Sequence, residues 1–148
     1  KWLTNYLIKN KCNSDVIGGY AGILGVVVYL YEHNIINEQN FYERVDFLVK
    51  HIKCAMKKDI ASQGYYWDEG YSSFAHGNAG ICAQLSKILK YKNSDEISSI
   101  IRKALKFERS LYDKKSGTWL RRKGSSEIQY TWCNGALGVL LSRLEKWI

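Results

Sequence analysis

Apolar positions along this chain recur at offsets of three and four, the spacing of one buried helix face. Three runs are short and strongly apolar. They comprise Ile23, Leu24, Val27, Val28, Leu30 and Tyr31; Ile81, Ala83, Leu85, Ile88 and Leu89; and Val139, Leu140, Leu141, Leu144 and Trp147. Two longer stretches are amphipathic, with charges on the opposite face. Phe41, Val45, Leu48, Val49, Ile52 and Met56 mark the first stripe, and Ile97, Ile100, Ile101, Ala104, Leu105 and Leu111 the second. Ser94 or Asp95 is placed to cap the start of the second stretch. The valine-rich first run reads equally as a strand by composition, and only its equivalence to the other two makes it a helix.

That equivalence comes from an internal repeat. Gly19-Tyr-Ala-Gly22-Ile23, Gly77-Asn-Ala-Gly80-Ile81 and Gly135-Ala-Leu-Gly138-Val139 each open an apolar run, and their first glycines are 58 residues apart in both intervals. Each unit therefore reads as a helical hairpin, a short apolar inner helix followed by a longer amphipathic outer one. A lone hairpin cannot bury its inner helix, whereas stacked hairpins can. The expected fold class is all-α, with about two and a half repeated hairpins over residues 1–148. Residues 1–11 read as the end of an earlier outer helix and residues 139–148 as an inner helix without its outer partner, the pattern of a fragment.

Composition narrows the function. The chain is 46% hydrophobic and 14% aromatic, enough for a packed core. No apolar run approaches a membrane span, so no membrane insertion is expected, and no signal peptide is visible. The formal charge of +8 is spread along the chain. It reads first as a lysine-rich solvated surface and second as attraction to an acidic partner, a peptide before a nucleic acid, since no basic-aromatic nucleic-acid motif occurs. Cys12, Cys54, Cys82 and Cys133 form no Cys-x-x-Cys pair. They read as reduced cysteines of a cytoplasmic protein, each by default a small buried hydrophobe.

Candidate chemistry gathers at the glycine turns. In a stack of equivalent hairpins these turns meet at one end of the inner helices, where free N–H groups and the helix dipole favour an anion. Asp15 lies four positions before Gly19, His76 directly before Gly77, and Cys133 two positions before Gly135. Alone, each has a structural explanation: a helix cap for Asp15, a packed histidine, a buried thiol. A carboxylate, an imidazole and a thiol at three corresponding turns point instead to one site.

These segments resemble the lanthionine synthetase C-like cyclases. Ser73-Phe-Ala-His76-Gly77-Asn-Ala-Gly80-Ile81 resembles their His-Gly motif, and Thr131-Trp132-Cys133-Asn134-Gly135-Ala-Leu-Gly138-Val139 their Trp-Cys-x-Gly-x-x-Gly motif. Asp15 to Ile23 is similar to the earlier Asp-containing turn. Phe107-Glu-Arg109 and Gly117-Thr-Trp119-Leu-Arg121 resemble the linking region of class II synthetases. Leu137 departs from a frequent proline, and Gln129 stands where some members carry arginine.

The resemblance implies part of an α/α toroid of about seven hairpins around a zinc ion. It implies Cys133 as one zinc ligand, with the other two, a cysteine and a histidine, from a later Cys-His-Gly motif that this sequence does not contain. It implies a reaction in which a cysteine thiol of a ribosomally made precursor peptide adds to dehydroalanine or dehydrobutyrine. In that reaction His76 would serve as acid or base, and Asp15 would orient or assist it. It further suggests an upstream dehydratase domain and room for association with a membrane export complex. Two alternatives stand beside it: a non-catalytic peptide-binding helical repeat, and another α/α-toroid enzyme such as a glycosidase. For the glycosidase the adjacent Asp68 and Glu69 are poorly spaced as a carboxylate pair.

Overall fold

The computed structural model describes residues 12–144. The fold is carried by helices α1 (Tyr20–Glu32), α2 (Glu38–Cys54), α3 (Asn78–Ile88), α4 (Asp95–Ser110) and α5 (Ala136–Ser142). Helix α1 packs on α2 and α3 on α4, forming two helical hairpins, while α1, α3 and α5 stand side by side in chain order. The three inner helices begin where the repeat places them, with Gly19, Gly77 and Gly135 as extended N-cap residues. The valine-rich run is helical. The proposed helix over residues 1–11 lies outside the described residues.

Burial follows the sequence pattern. Helix α3, flanked by α1, α4 and α5, is buried over nearly all its residues. The outer helices bury one stripe each, Phe41 to Ile52 on α2 and Ile97 to Leu105 on α4. Their ends are set by local chemistry. The Asn37 Oδ1 accepts the Asn40 N–H at 2.9 Å, and the Ser94 Oγ accepts the Ile97 N–H at 3.3 Å, so Ser94 is the cap and Asp95 sits in the first turn. Helix α1 stops on Asn34, which takes a left-handed φ of 57°. The Ile35 N–H then reaches the Leu30 carbonyl at 2.9 Å, a closure that asparagine tolerates well.

The second glycine of each motif has a spatial reason. A Cβ at Gly80 would lie 1.7 Å from the Phe74 carbonyl oxygen, and the equivalent glycines, Gly22 and Gly138, meet the carbonyls of Val16 and Trp132. The chain thus doubles back against the helix start in every repeat, and only a residue without Cβ lets it pass.

Two features depart from the sequence reading. Each outer helix is followed by a small antiparallel hairpin, β1 (Lys57–Lys58) with β2 (Tyr65–Tyr66), and β3 (Tyr112–Asp113) with β4 (Thr118–Trp119). Two-residue strands leave no periodicity to read. The cysteines also divide. Cys82 is fully buried and burial pushes its thiol well up, but Cys54, at the end of α2, is exposed. The default of a buried small hydrophobe therefore fails for Cys54, whose helix turns its last residue to solvent.

The third inner helix is only partly covered. Leu137, Leu140 and Leu144 are exposed, although their equivalents Ala79, Cys82 and Ser86 are inaccessible. Among the described residues α5 packs on α3 and β4 and has no outer helix of its own. No helix of the described residues is long and apolar enough to cross a membrane.

Candidate functional site

The site is built from the turns before the inner helices. Four positions before each helix-opening glycine stands a side-chain oxygen: Asp15, Ser73 and Thr131. In the first turn the Asp15 Oδ1 accepts the Gly18 N–H at 2.8 Å, and in the third the Thr131 Oγ1 accepts the Asn134 N–H at 3.2 Å. Both close their own turns three residues on. Ser73 instead reaches the next turn, donating to the Cys133 carbonyl at 2.5 Å. Backbone bonds complete the lacing, from Val16 N–H to the Ala75 carbonyl at 3.0 Å and from Phe74 N–H to the Trp132 carbonyl at 3.3 Å. The three turns therefore form one continuous end of the inner-helix layer.

Within that end Asp15 and His76 meet. The His76 Nδ1 lies 2.8 Å from the Asp15 Oδ2. An ionised carboxylate only accepts, so the proton of this bond belongs on Nδ1 and Nε2 is the ring's open position. The Asp15 side chain is 7% exposed and that of His76 is 39% exposed. The carboxylate is thus a buried anchor and the imidazole its accessible end. Asp15 is not the cap of α1, a position held by Gly19; its carboxylate serves both its own turn and the histidine.

Both residues line a cleft of about 370 Å³ together with Lys57, Asp68, Glu69 and Tyr71. Asp68 adopts a left-handed φ of 50°, and its Oδ2 accepts the Ser14 N–H at 3.2 Å, pinning the residue before Asp15. Burial raises the Asp68 carboxyl above its usual range, the Ser14 N–H opposes this, and the Asp15 charge adds to the rise. Lys57 donates to the Asp68 carbonyl at 2.7 Å. Tyr71 lies beside His76 with ring centroids 6.3 Å apart, and the Arg121 and Arg122 guanidinium groups sit over its ring. Sequence reasoning considered Asp68 and Glu69 only as a carboxylate pair and passed over Lys57 and Tyr71. The β1–β2 hairpin, invisible in the hydrophobic pattern, is what returns Asp68 toward the first turn.

Cys133 belongs to the same end, but its thiol keeps separate company. The Sγ lies 3.4 Å from the Thr131 Oγ1 and 3.8 Å from the Asn134 Nδ2. Among the described residues no group of three or more histidine, cysteine or carboxylate side chains is placed to hold a metal ion. A complete zinc site needs three or four protein ligands, and Cys133 is a single donor. The described residues by themselves do not fit a whole zinc site.

Residues 3–147 match the family described as lanthionine synthetase C-like protein, and the chain belongs to that family. Its described hairpins are part of an α/α toroid. The chain is similar to the lacticin 481/lactococcin biosynthesis protein LcnDR2 of Lactococcus lactis subsp. lactis, with 30% identity over 138 residues, 92% of this chain. It spans 13% of that protein's length. No solved structure matches the chain.

Proposed function

We propose that this chain is the part of a thioether-forming peptide cyclase that supplies its proton-transfer pair. The observation behind this reading is the Asp15–His76 pair, buried at the carboxylate and open at the imidazole Nε2. In the reaction a cysteine thiol of the precursor peptide loses its proton. The thiolate sulfur bonds to the β-carbon of dehydroalanine or dehydrobutyrine, and the displaced π electrons form an enolate. That sulfur–carbon bond closes the ring, and a proton then reaches the α-carbon to quench the enolate. His76 Nε2 is the group to accept and return that proton. Asp15 holds the ring in the Nδ1–H tautomer and stabilises the imidazolium between the two transfers. The inner-helix N-termini lie at the same end and favour the developing negative charge.

Zinc enters as a dependence of the whole protein, with Cys133 one thiolate ligand and the remaining ligands outside the described residues. The partner is a ribosomally made precursor peptide, dehydrated beforehand, in the cytoplasm, with room for an export complex at the membrane.

Substitution in the full-length protein separates the roles. His76→Ala should slow ring closure by about 10²–10⁴-fold, the usual contribution of a positioned acid-base group, and leave bound zinc unchanged. Cys133→Ala should lower bound zinc. Metal analysis is paired with trapping of uncyclised thiols on a dehydrated precursor. Zinc loss in the His76 variant would make that residue a ligand, and an unchanged rate would remove it from the chemistry.

A further inference from the structure

The hairpin that closes each unit reaches back to the turn that opens it, and the two units do this differently. Ser14 and Ser72 hold the same register position, 58 residues apart, and both are buried. A buried main-chain N–H needs an acceptor. In the second unit the Ser72 N–H donates to the Arg121 carbonyl at 3.0 Å, and Arg121 is the second residue after β4. In the first unit the second residue after β2 is Asp68. Here the Ser14 N–H donates to the side chain, at 3.2 Å from Oδ2. A carboxylate has taken the place of a main-chain carbonyl.

The backbone gives the reason. Asp68 takes a left-handed φ of 50°, and its carbonyl accepts from the Lys57 ammonium at 2.7 Å. With the carbonyl directed to Lys57, it is the side chain that reaches the first turn. Aspartate and asparagine tolerate this conformation best among residues with a side chain, and both end in an oxygen that accepts. The Ser14 bond matters for what stands beside it. Asp15 is bracketed by two tied peptides: the Ser14 N–H goes to Asp68, and the Val16 N–H to the Ala75 carbonyl at 3.0 Å, next to His76. The Ala75 bond sets the first turn against the chain that carries His76, and the Asp68 bond fixes the other side of Asp15. With that side released, the Asp15 peptide turns more freely and the 2.8 Å contact of its Oδ2 with His76 Nδ1 is no longer held in place.

We propose that Asp68 is a positioning residue for the Asp15–His76 pair, holding Asp15 against the imidazole through its hydrogen bond to the Ser14 N–H. It lines the same cleft but acts through the first turn, not on the substrate. The role belongs to the acceptor oxygen more than to the charge, because a neutral carbonyl suffices at Ser72. At the position of Asp15 the second turn carries Ser73, so the tie at Ser72 has only a turn to hold. In the first unit the same tie holds the partner of a histidine. The effect on ring closure rests on the cyclase reading above, whereas the effect on the imidazole does not.

The test compares two variants of the full-length protein. Asp68→Gly keeps the left-handed backbone without strain and removes the acceptor. Asp68→Asn keeps the backbone preference and an acceptor oxygen while removing the charge. In Asp68→Gly the His76 ring should lose its Nδ1–H preference, read from ¹⁵N shifts. Ring closure on a dehydrated precursor should slow by roughly 10- to 100-fold, the scale of a misplacement of about 1 Å, with little change in KM. Asp68→Asn should restore both the tautomer and the rate. A parental ¹⁵N pattern and rate in Asp68→Gly, with only the melting temperature lowered, would make the bond structural and overturn the proposal. An Asp68→Asn protein as slow as Asp68→Gly would also overturn it, because the charge and not the acceptor would then be at work. Were Asp68→Gly to fail to fold, Asp68→Asn carries the test alone: loss of the Nδ1–H preference there sinks the proposal. His76→Ala separates the two readings. If that variant closes rings at the parental rate, the cyclase reading fails, while the ¹⁵N comparison still decides whether Asp68 positions the pair.

Discussion

At the scale of single residues, the site is a repeated turn in which one copy has acquired a charge. Asp15, Ser73 and Thr131 occupy the same register position, and each contributes an oxygen that ties the turns. Only the carboxylate is long enough and charged enough to close its turn and hold His76 as well. This separates its two roles experimentally. Asp15→Ser restores the residue of the second repeat, keeping a hydroxyl for the turn while removing the partner of Nδ1. The fold should therefore persist, with stability changed by about 1 kcal/mol, the scale of a lost local hydrogen bond. The imidazole should lose its Nδ1–H preference, read directly from ¹⁵N shifts of His76. Ring closure should slow toward the level of the His76→Ala protein. An unchanged tautomer in the serine variant would show that something other than Asp15 orients the ring.

At the scale of elements, the helices were legible and the hairpins were not. Apolar offsets and the glycine repeat located α1, α3 and α5 because burial imposes period and the turns impose glycine. The cap of α4 was legible only as Ser94 or Asp95, and the Ser94 Oγ bond to the Ile97 N–H decides between them. The β1–β2 and β3–β4 hairpins rest on two paired residues each and on side-chain ties formed at a distance. Asp59 is the clearest tie. Its carboxylate accepts the Ser62 N–H at 2.8 Å within the first hairpin and pairs with Lys123 at 2.9 Å from the loop after β4. The Ser62 hydrogen bonds, followed by Lys123, pull the Asp59 carboxyl down from 3.8 to about 2. A carboxyl lowered by folding stabilises the fold above its unfolded value and loses that contribution as pH falls through its folded one. The stability difference between the parent protein and Asp59→Asn should thus be full at neutral pH, decline below about pH 4 and vanish near pH 2. Denaturant titrations of both proteins across that range measure it, and a pH-independent difference would mean that the tie is not electrostatic.

At the scale of the whole molecule, turn lacing joins the inner layer at one end, and a buried ion pair ties an outer helix to it. Glu108 of α4 is fully buried, and its carboxylate is met by Arg143 at the end of α5. This contact joins an outer helix to the following inner helix, across the repeat boundary that the hydrophobic pattern leaves open. Burial pushes the Glu108 carboxyl up and the Arg143 charge pulls it back down, with burial prevailing. A buried ion pair gains less from its attraction than it loses when one member is left behind. Arg143→Leu should therefore destabilise by about 3 kcal/mol, because Glu108 then loses its paired countercharge. Adding Glu108→Leu should recover most of that loss, since two apolar groups need no partner. The pH dependence gives an independent check. A carboxyl raised by folding leaves the fold most stable below its unfolded value, and stability falls as pH rises through the folded one. Without Arg143 the carboxyl rises further, so the single variant should lose more stability between acid and neutral pH than the parent. The double variant should show no such loss from this position. Equal pH slopes in the parent and the single variant would show that Arg143 does not hold the Glu108 charge.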